Sequence, residues 1–455
     1  MEGRVRESYR KIRDQDLNEE IQYTLQIRKN HMCIKSTSTG PELTWDSWLP
    51  ALLLPLLLLA ALAAAAALGA LLLDLPSYEI PRGVNQPAKL RLVLAVLLGT
   101  AAVGKILEKT GICSQITFGR YMRRGRRLAL DPKLFIQDLQ FKKVPVRVYQ
   151  PKAPFDGRRR GIIFFHGGGW VFGSLDTYEK VCRYISRESE SVVVSVEYRL
   201  APEHKYPAAY EDCLNATVHF MKNIEHYGVD PARIIVSGDS AGGNLAAAVS
   251  QTLASRPDLP KLRAQILIYP GLQALDFNLP SYQQNRGVPL LFRERAAFFA
   301  LQYLNGDASH VEEVLEGSHI PADIRLKYRK WVSPDNIPEQ FKVRGVKPLV
   351  PTDCIAEVYE AVKRFCEPNL CPLLAEDAVV HQQPESFILT CEYDVLRDDG
   401  LLYKKRLEDN GVPVTWYHIE DGFHGIISLH DYGGFSFPAG KRGLDSIVNF
   451  IKGLY

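Results

Sequence analysis

Short, continuous apolar runs alternate with amphipathic stretches from about residue 141 to the end of the chain. A strand that is apolar at successive positions is buried on both faces, as in a parallel sheet. Amphipathic patterns such as 208–225 and 401–410 predict helices between the runs. The alternation therefore predicts an α/β fold, with a mostly parallel central sheet covered by helices on both faces. The predicted buried strands are 161–165, 191–196, 233–237, 264–269 and 387–391, and residues 415–419 predict a late strand.

Two stretches depart from this regular pattern. Residues 144–149 alternate apolar and polar positions, which is typical of a strand at the edge of a sheet. Residues 275–350 are rich in Pro, Asn and aromatics and break the strand–helix alternation, so they predict an insertion that forms a cap over one end of the sheet. The cap aromatics either pack against the sheet or line an apolar pocket. They are Tyr282, Phe292, Phe298, Phe299 and Tyr303.

Residues 49–73 carry no charge and consist mostly of Leu and Ala. As a helix they would extend about 37 Å, enough to cross a hydrocarbon core of about 30 Å. The run is too long for a cleaved signal peptide and therefore predicts a retained signal anchor. We thus expect a polar tail at 1–47, a transmembrane anchor at 48–73, a membrane-proximal or cap segment at 74–140 and the α/β domain, with its cap insertion, at 141–455. The shorter apolar run 92–103 predicts a helix that lies on the membrane or caps the domain, not a second span.

The charge balance excludes some partners. A formal net charge of +3 from 55 basic and 52 acidic residues gives no reason to expect nucleic-acid binding. The basic runs 123–127 and 158–160 are typical of solvated faces, although the first, close to apolar segments, also suits contact with anionic lipid. Eight cysteines without paired spacing predict no metal site.

The sequence Gly238–Gly243, Gly-Asp-Ser-Ala-Gly-Gly, separates the strand at 233–237 from a helical pattern. Strand, Gly-x-Ser-x-Gly turn and helix form the nucleophile elbow, in which Ser240 adopts a strained conformation. Gly238 and Gly242 are needed because side chains there would collide with the neighbouring strand and helix. Asp239 is expected to be a structural hydrogen-bonding residue.

The loop His166-Gly167-Gly168-Gly169-Trp170 directly follows the strand at 161–165. Gly-rich backbone there can turn N–H groups toward an oxyanion, and no phosphate-binding motif is present. We expect His166 to brace this loop, not to act as a base.

Asp394 and His424 come at the carboxyl ends of the strands 387–391 and 415–419. A serine nucleophile needs a base, and the base needs a carboxylate to fix its tautomer. Asp398, Asp399 and Asp421 are rivals for the acid, but Asp394 is favoured because its strand delivers it. The chain order Ser, Asp, His is that of α/β-hydrolases.

These motifs, with Tyr198–Glu203, Tyr393–Asp399 and Asp421–Gly425, resemble the hormone-sensitive-lipase-like branch of α/β-hydrolases, and among them the arylacetamide deacetylase-like group. The resemblance implies an α/β-hydrolase fold with a helical cap and a catalytic triad of Ser240, Asp394 and His424. It implies an oxyanion hole made by the N–H groups of Gly167, Gly168 and Ala241, with Gly169 structural. It also implies a single-pass protein of the endoplasmic-reticulum membrane with a lumenal catalytic domain, an orientation that the flanking charges do not decide.

The expected function is hydrolysis of apolar esters or aryl amides through an acyl-enzyme, with no metal or organic cofactor. The alternative is a membrane-tethered binding protein that uses the hydrolase pocket without catalysis. Asn215-Ala-Thr217 is a candidate glycosylation sequence, which would be used only in the secretory pathway.

Overall fold

A computed structural model describes residues 80–454, except 85, 126–127 and 348–351. The tail predicted at 1–47 and the anchor predicted at 48–73 lie outside the described residues.

One eight-stranded sheet forms the centre of the described chain, in the order β1-β2-β4-β3-β5-β6-β7-β8. The pairs β1–β2 and β2–β4 are antiparallel, and all the others are parallel. Each of the five predicted buried strands and the predicted late strand is present. The strands are β1 Leu134–Phe141, β2 Val144–Pro151, β3 Arg159–Phe165, β4 Val192–Val196, β5 Val229–Asp239, β6 Ala264–Ile268, β7 Glu385–Tyr393 and β8 Val414–Phe423.

The prediction that residues 144–149 form an edge strand is wrong, because β2 lies between β1 and β4. The alternation that suggested an edge includes Arg147, which is buried at 6% exposure. Its guanidinium donates to Asp138 at 2.6 Å and to the buried Glu179 at 2.9 Å. A polar position along a strand faces the protein interior when a carboxylate there is positioned to pair with it.

Helices cover both faces of this sheet. The α-helices are α1 Pro87–Lys109, α2 Gln115–Arg123, α3 Leu175–Ser189, α4 Ala208–Lys222, α5 Ala241–Ala254, α6 Pro280–Gln284, α7 Arg293–Asn305, α8 Val311–Glu316, α9 Ala322–Tyr328, α10 Ala356–Val362, α11 Asp377–Val380, α12 Arg397–Asp409 and α13 Pro438–Gly453. Short 3-10 helices occur at Ile224–Tyr227, Pro334–Asn336, Glu339–Phe341, Lys363–Cys366, Pro372–Leu374, Ile426–Leu429 and Gly433–Phe435.

Two hydrophobic clusters fill the space between the sheet and these helices. Along β3, Ile163 and Phe165 belong to one cluster, while Ile162 and Phe164 belong to the other. Successive residues of a strand point to opposite faces, so the sheet is buried on both sides, as the continuous apolar runs predicted.

Helix α1 is longer than the apolar run 92–103 that predicted it. Among the described residues it is the one helix that could cross a membrane by length and composition. In the structure Leu90 is fully buried and Val93 is 9% exposed. Lys89 Nζ donates to the carbonyl of Ser436 at 2.8 Å, so α1 packs against the catalytic domain.

Residues 269–384 connect β6 to β7 and contain the helices α6 to α11. The predicted cap, 275–350, falls within this connection. The strands β6 and β7 are parallel neighbours in the sheet. The connection begins at the carboxyl end of β6 and returns to the start of β7. It therefore stands over the carboxyl end of β6, beside the end of the elbow strand β5.

Candidate active site

Ser240 occupies the turn between β5 and α5 with φ 56° and ψ −120°, a backbone conformation that L residues rarely adopt. A Cβ added to Gly238 would lie 2.2 Å from the carbonyl oxygen of Gly242. One added to Gly242 would lie 2.0 Å from the carbonyl oxygen of Phe165. The turn therefore has the cramped geometry that its glycines predicted.

The side chains of Ser240, His424 and Asp394 form one hydrogen-bonded row. The Oγ of Ser240 lies 2.8 Å from Nε2 of His424, and Nδ1 of His424 lies 2.8 Å from Oδ2 of Asp394. Their exposures are 9%, 7% and 1%. A neutral imidazole placed in this way donates to the carboxylate and accepts the serine proton.

Asp394 follows β7 directly, and its carboxylate is held from a second direction. Its Oδ1 accepts the N–H of Leu396 at 2.8 Å, and Asn285 donates to its carbonyl at 2.9 Å.

The other three candidate carboxylates have partners other than His424. Asp398 pairs with Arg397, Asp399 accepts the N–H of Leu272, and Asp421 pairs with Arg442. Of the four candidate acids, the structure brings only Asp394 into hydrogen-bond contact with His424.

The glycine loop differs from its prediction at one residue. The N–H of Gly167 donates to Oδ1 of Asp239 at 2.7 Å, so this amide is already in use. Within the described residues, the N–H groups of Gly168 and Gly169 make no hydrogen bond. Gly169 and Ala241 line the pocket beside Ser240. This geometry argues against Gly167 as an oxyanion donor and in favour of Gly169 in its place.

Asp239 links the nucleophile turn to that loop. Its Oδ2 accepts the hydroxyls of Tyr178 at 2.9 Å and Tyr269 at 3.2 Å, in addition to the amide of Gly167 on Oδ1. Burial raises the pKa of Asp239 to about 6, although these donors favour the charged form. Asp239 thus accepts three hydrogen bonds, one of them from the loop that the sequence placed 72 positions away.

His166 is buried beneath the same loop. Its Nδ1 donates to the carbonyl of Gly167 at 2.9 Å, and its ring stacks on Tyr198 at 4.2 Å. Burial lowers the pKa of His166 to about 4, which keeps the imidazole neutral. It makes no contact with Ser240 and braces the loop.

An apolar pocket opens beside Ser240, between the glycine loop and the β6–β7 connection. Trp170 and Tyr303 stack with their ring centres 4.7 Å apart and form one wall. Three of the five aromatics named in the predicted cap line the pocket. They are Tyr282, Phe299 and Tyr303.

Sequence reasoning missed the residues that support this pocket. Asp399 accepts the N–H groups of Leu272 and Gln273 at 2.8 and 3.3 Å and the hydroxyl of Tyr282 at 3.2 Å. Burial raises the pKa of Asp399 to about 7. Its only signal in the sequence was its position in the Asp398-Asp399 pair at the start of α12, where it was weighed as a catalytic acid.

Asn215 lies exposed on helix α4, away from this pocket. Thr217 of the same sequence motif is fully buried, and its Oγ1 donates to the carbonyl of Cys213 at 2.7 Å. An enzyme that must bind the threonine cannot reach it in the folded protein, so glycosylation at Asn215 would have to precede folding of α4.

Known proteins match this chain over most of its length. A family model described as alpha/beta hydrolase fold matches residues 162–318 and 339–428. Human arylacetamide deacetylase-like 4 is 48% identical over 376 residues, which are 83% of this chain and 92% of that protein. Rat arylacetamide deacetylase is 43% identical over 306 residues, 66% of this chain and 76% of that protein.

Among solved structures, an esterase from Pyrobaculum calidifontis matches with a TM-score of 0.55 and 25% identity, over 81% of this chain and 98% of its own. Sheet order, family model and relatives agree with one another, and they confirm the resemblance seen in the motifs. The chain therefore belongs to the arylacetamide deacetylase-like group of the hormone-sensitive-lipase-like α/β-hydrolases, and it is a carboxylic ester hydrolase.

Proposed function

We propose that Ser240 is the nucleophile of a serine esterase, with His424 as general base and Asp394 as its orienting carboxylate. The observation that carries the proposal is the row of 2.8 Å contacts from Ser240 Oγ through His424 to Asp394, at the mouth of an apolar pocket. Ser240 attacks the ester carbonyl while His424 takes its proton. His424 then returns the proton to the departing alcohol or amine, and water releases the acyl group by the same route.

The oxyanion of the tetrahedral intermediate would be bound by backbone N–H groups. We assign this role to Gly168, Gly169 and Ala241, because the N–H of Gly167 is held by Asp239. Ala241 begins helix α5, so its N–H has no partner within the helix and lies at the positive end of the helix dipole.

The substrate would carry an apolar group next to its ester or aryl amide bond. The pocket wall opposite Ser240 is built from the aromatic and aliphatic residues Trp170, Phe277, Phe299, Phe365, Leu370 and Leu396. Such a wall favours apolar groups because their transfer from water is favourable. The connection between β6 and β7 acts as the cap that closes over them.

The direct test replaces Ser240 by Ala in the full chain and measures hydrolysis of p-nitrophenyl butyrate in membranes. Removal of the nucleophile from a triad typically lowers kcat by a factor on the order of 10⁴ or more. Ser237→Ala is a matched control, since Ser237 is a buried serine on β5, three residues before Ser240. Retained activity in Ser240→Ala would refute the assignment.

The competing function is a non-catalytic binding protein that uses the same pocket. A fluorophosphonate separates the two, because it reacts covalently only with an activated serine. We expect it to label the wild-type chain and Ser237→Ala but not Ser240→Ala. Absence of labelling in the correctly folded wild type would favour the binding protein.

We also propose that residues 48–73 anchor the chain in the endoplasmic-reticulum membrane with the catalytic domain in the lumen. The support is the uncharged run at 49–73 and the family to which the chain belongs. Carbonate extraction should leave the chain in the membrane fraction, and protease added to sealed microsomes should spare the catalytic domain. Release by carbonate, or digestion without detergent, would contradict this location.

A further inference from the structure

Large apolar side chains are exposed mainly in one part of the described chain. Seven of the thirteen exposed large hydrophobic residues fall between positions 92 and 130, around helices α1 and α2 and the turn that joins them. They are Leu92, Val96, Ile106, Ile112, Tyr121, Met122 and Leu130. A soluble protein rarely concentrates such residues without a partner that covers them.

Six of these residues lie on the outer side of the two-helix hairpin 87–123, and Leu130 follows it. At about 100° per residue, Leu92, Val96 and Ile106 lie within an arc of about 80° on α1. The opposite side, with Leu90 and Val93, packs against the catalytic domain. Helix α1 is therefore apolar on both sides, and only one side has a partner within the described residues.

The charges on this hairpin are almost all positive. Between positions 87 and 124 the chain has seven Lys or Arg residues and one acidic residue, Glu108. Four basic side chains of the segment are exposed and form no ion pair within the described part of the chain. They are Arg91, Lys105, Lys109 and Arg124. An apolar strip flanked by lysine and arginine is typical of helices that lie at a lipid interface.

Two further arginines stand where α2 meets the cap. The guanidinium of Arg123 lies 4.4 Å from the ring centre of Phe172, and that of Arg295 lies 5.2 Å from the ring centre of Phe299. The two rings are in edge contact at 5.9 Å. Neither arginine has a carboxylate partner among the described residues. Burial and the charge of Arg123 lower the pKa of Arg295 to about 10, a cost that a bound anion would relieve.

We propose that the hairpin 87–123 lies on the surface of a phospholipid bilayer, with its outer apolar side chains among the acyl chains and with Arg123 and Arg295 on lipid phosphates. This membrane contact is a property beyond the proposed esterase activity. It rests on the proposed anchor, which would hold the hairpin near the bilayer. Only seven positions separate residue 73, the end of the uncharged run, from Ile80. An extended chain of that length spans at most about 25 Å, which keeps the hairpin close to the membrane.

Contacts of the hairpin explain why α1 would lie along the bilayer and not cross it. Helix α2 is fixed to the domain by Arg120, which donates to the carbonyl of Val171 at 2.8 Å and pairs with Glu203. Lys89 fixes the start of α1 to Ser436. A spanning α1 would have to break both attachments and expose the surface under Leu90.

This placement brings the pocket to the membrane. Val171 immediately follows the glycine loop, and Phe299, beneath Arg295, lines the pocket. Apolar esters dissolved in the bilayer could therefore reach Ser240 without crossing water.

The test uses the full chain in vesicles, with a fluorescent amino acid at Ile112 or Met122. Lipids brominated on their acyl chains quench only fluorophores that enter the bilayer. We expect about twofold lower emission in brominated than in plain lipid at both positions, as for interfacial side chains. Leu326 and Val343 are matched controls, since both are exposed apolar residues of the β6–β7 connection, and should be unaffected.

Equal emission in both lipids at 112 and 122 would overturn the proposal, and so would equal quenching at the two control positions. This readout needs no catalysis, so its result does not depend on whether the esterase assignment is correct.

A second experiment examines the arginines. In vesicles with anionic lipid, the double variant Arg123→Gln, Arg295→Gln should lose about half of the quenching at Met122. The double variant Arg158→Gln, Arg329→Gln, which removes two exposed arginines elsewhere, should not. Equal loss of quenching in both double variants, or no loss in either, would refute the binding of lipid phosphates by Arg123 and Arg295.

Discussion

The carboxylate of Asp239 lies one residue before Ser240 and holds the amide of Gly167 at 2.7 Å. It thereby fixes two parts of the site relative to each other, the strained serine turn and the glycine loop. Both hydroxyls that it accepts come from residues outside these segments, Tyr178 and Tyr269. At the scale of single residues, the two segments are therefore joined by a buried carboxylate that lies outside the proposed triad.

Replacing Asp239 by Asn should lower kcat while leaving KM nearly unchanged. The amide can still accept the N–H of Gly167, but its NH₂ group cannot accept the tyrosine hydroxyls. Loss of hydrogen bonds to a charged group is worth about 1.5–3 kcal/mol, which corresponds to roughly 10–100-fold in kcat if it is lost in the transition state. Steady-state kinetics on p-nitrophenyl butyrate measure kcat and KM separately.

Asp421→Asn provides the control, because Asp421 pairs with Arg442 at the surface and does not contact the loop. A rise in KM at constant kcat for Asp239→Asn would mean that Asp239 shapes substrate binding instead.

At the scale of elements, the start of the β6–β7 connection is joined to helix α12 and to the residues just before it. Asp399, in the first turn of α12, binds the N–H groups of Leu272 and Gln273 just after β6. Ser281 on α6 donates to the carbonyl of Val395 at 2.6 Å. These bonds hold the start of the predicted cap against the strand end that carries Asp394.

The stability of this junction should depend on pH. The carboxyl of Asp399 has a pKa of about 7 in the folded chain and about 4 when unfolded. The folded state therefore binds the proton more tightly, and this stabilisation is present below about pH 4 and lost as the pH rises to about 7. Asp399→Asn cannot titrate, so its free energy of unfolding should fall less steeply across that range, by up to about 1.4 kcal/mol per pH unit.

Denaturant unfolding of the full chain in detergent at several pH values measures this slope. Asp421→Asn again serves as the comparison and should keep the wild-type slope. An unchanged slope in Asp399→Asn would show that the four donors around this carboxylate hold its pKa near the unfolded value.

At the scale of the whole molecule, the catalytic domain has an apolar and basic hairpin on one side and the pocket next to it. Arg120 of α2 donates a hydrogen bond to the carbonyl of Val171, which directly follows the glycine loop. Access to the pocket and attachment to a membrane surface would thus depend on adjacent parts of the structure.

Esters embedded in vesicles should reveal this arrangement. Ile112→Ser with Met122→Ser should leave kcat/KM for soluble p-nitrophenyl butyrate unchanged, because neither residue touches the pocket. For an apolar ester in vesicles the rate should fall about thirtyfold, since about 2 kcal/mol of apolar transfer is lost. Leu326→Ser with Val343→Ser, at exposed positions elsewhere, should affect neither substrate. An equal fall on both substrates would place the defect in the fold instead.

Much of the arrangement follows from local patterns that physical chemistry ties to one structure. Continuous apolar runs require burial on both faces, which predicted five strands of the sheet. The small residues around Ser240 are dictated by backbone crowding, and Asp394 and His424 follow strands whose carboxyl ends meet at one edge. Motifs of this kind are short-range, so the sequence by itself determined the fold class and the three side chains of the proposed triad.

Tertiary structure decided what depends on contacts between distant segments. Whether Arg147 faces water or the buried Glu179 is settled by the packing of α3 on β2, and the pairing of β1 with β2 places 144–149 inside the sheet. Which glycine amide remains available for an oxyanion depends on Asp239, 72 positions away from Gly167. Helix α1 is covered on one side because the folded domain supplies a partner there, and its other side has no partner within the described residues. A sequence shows which groups are present, but pairing between remote residues is fixed by packing, and packing decides which donors, charges and apolar surfaces remain unused.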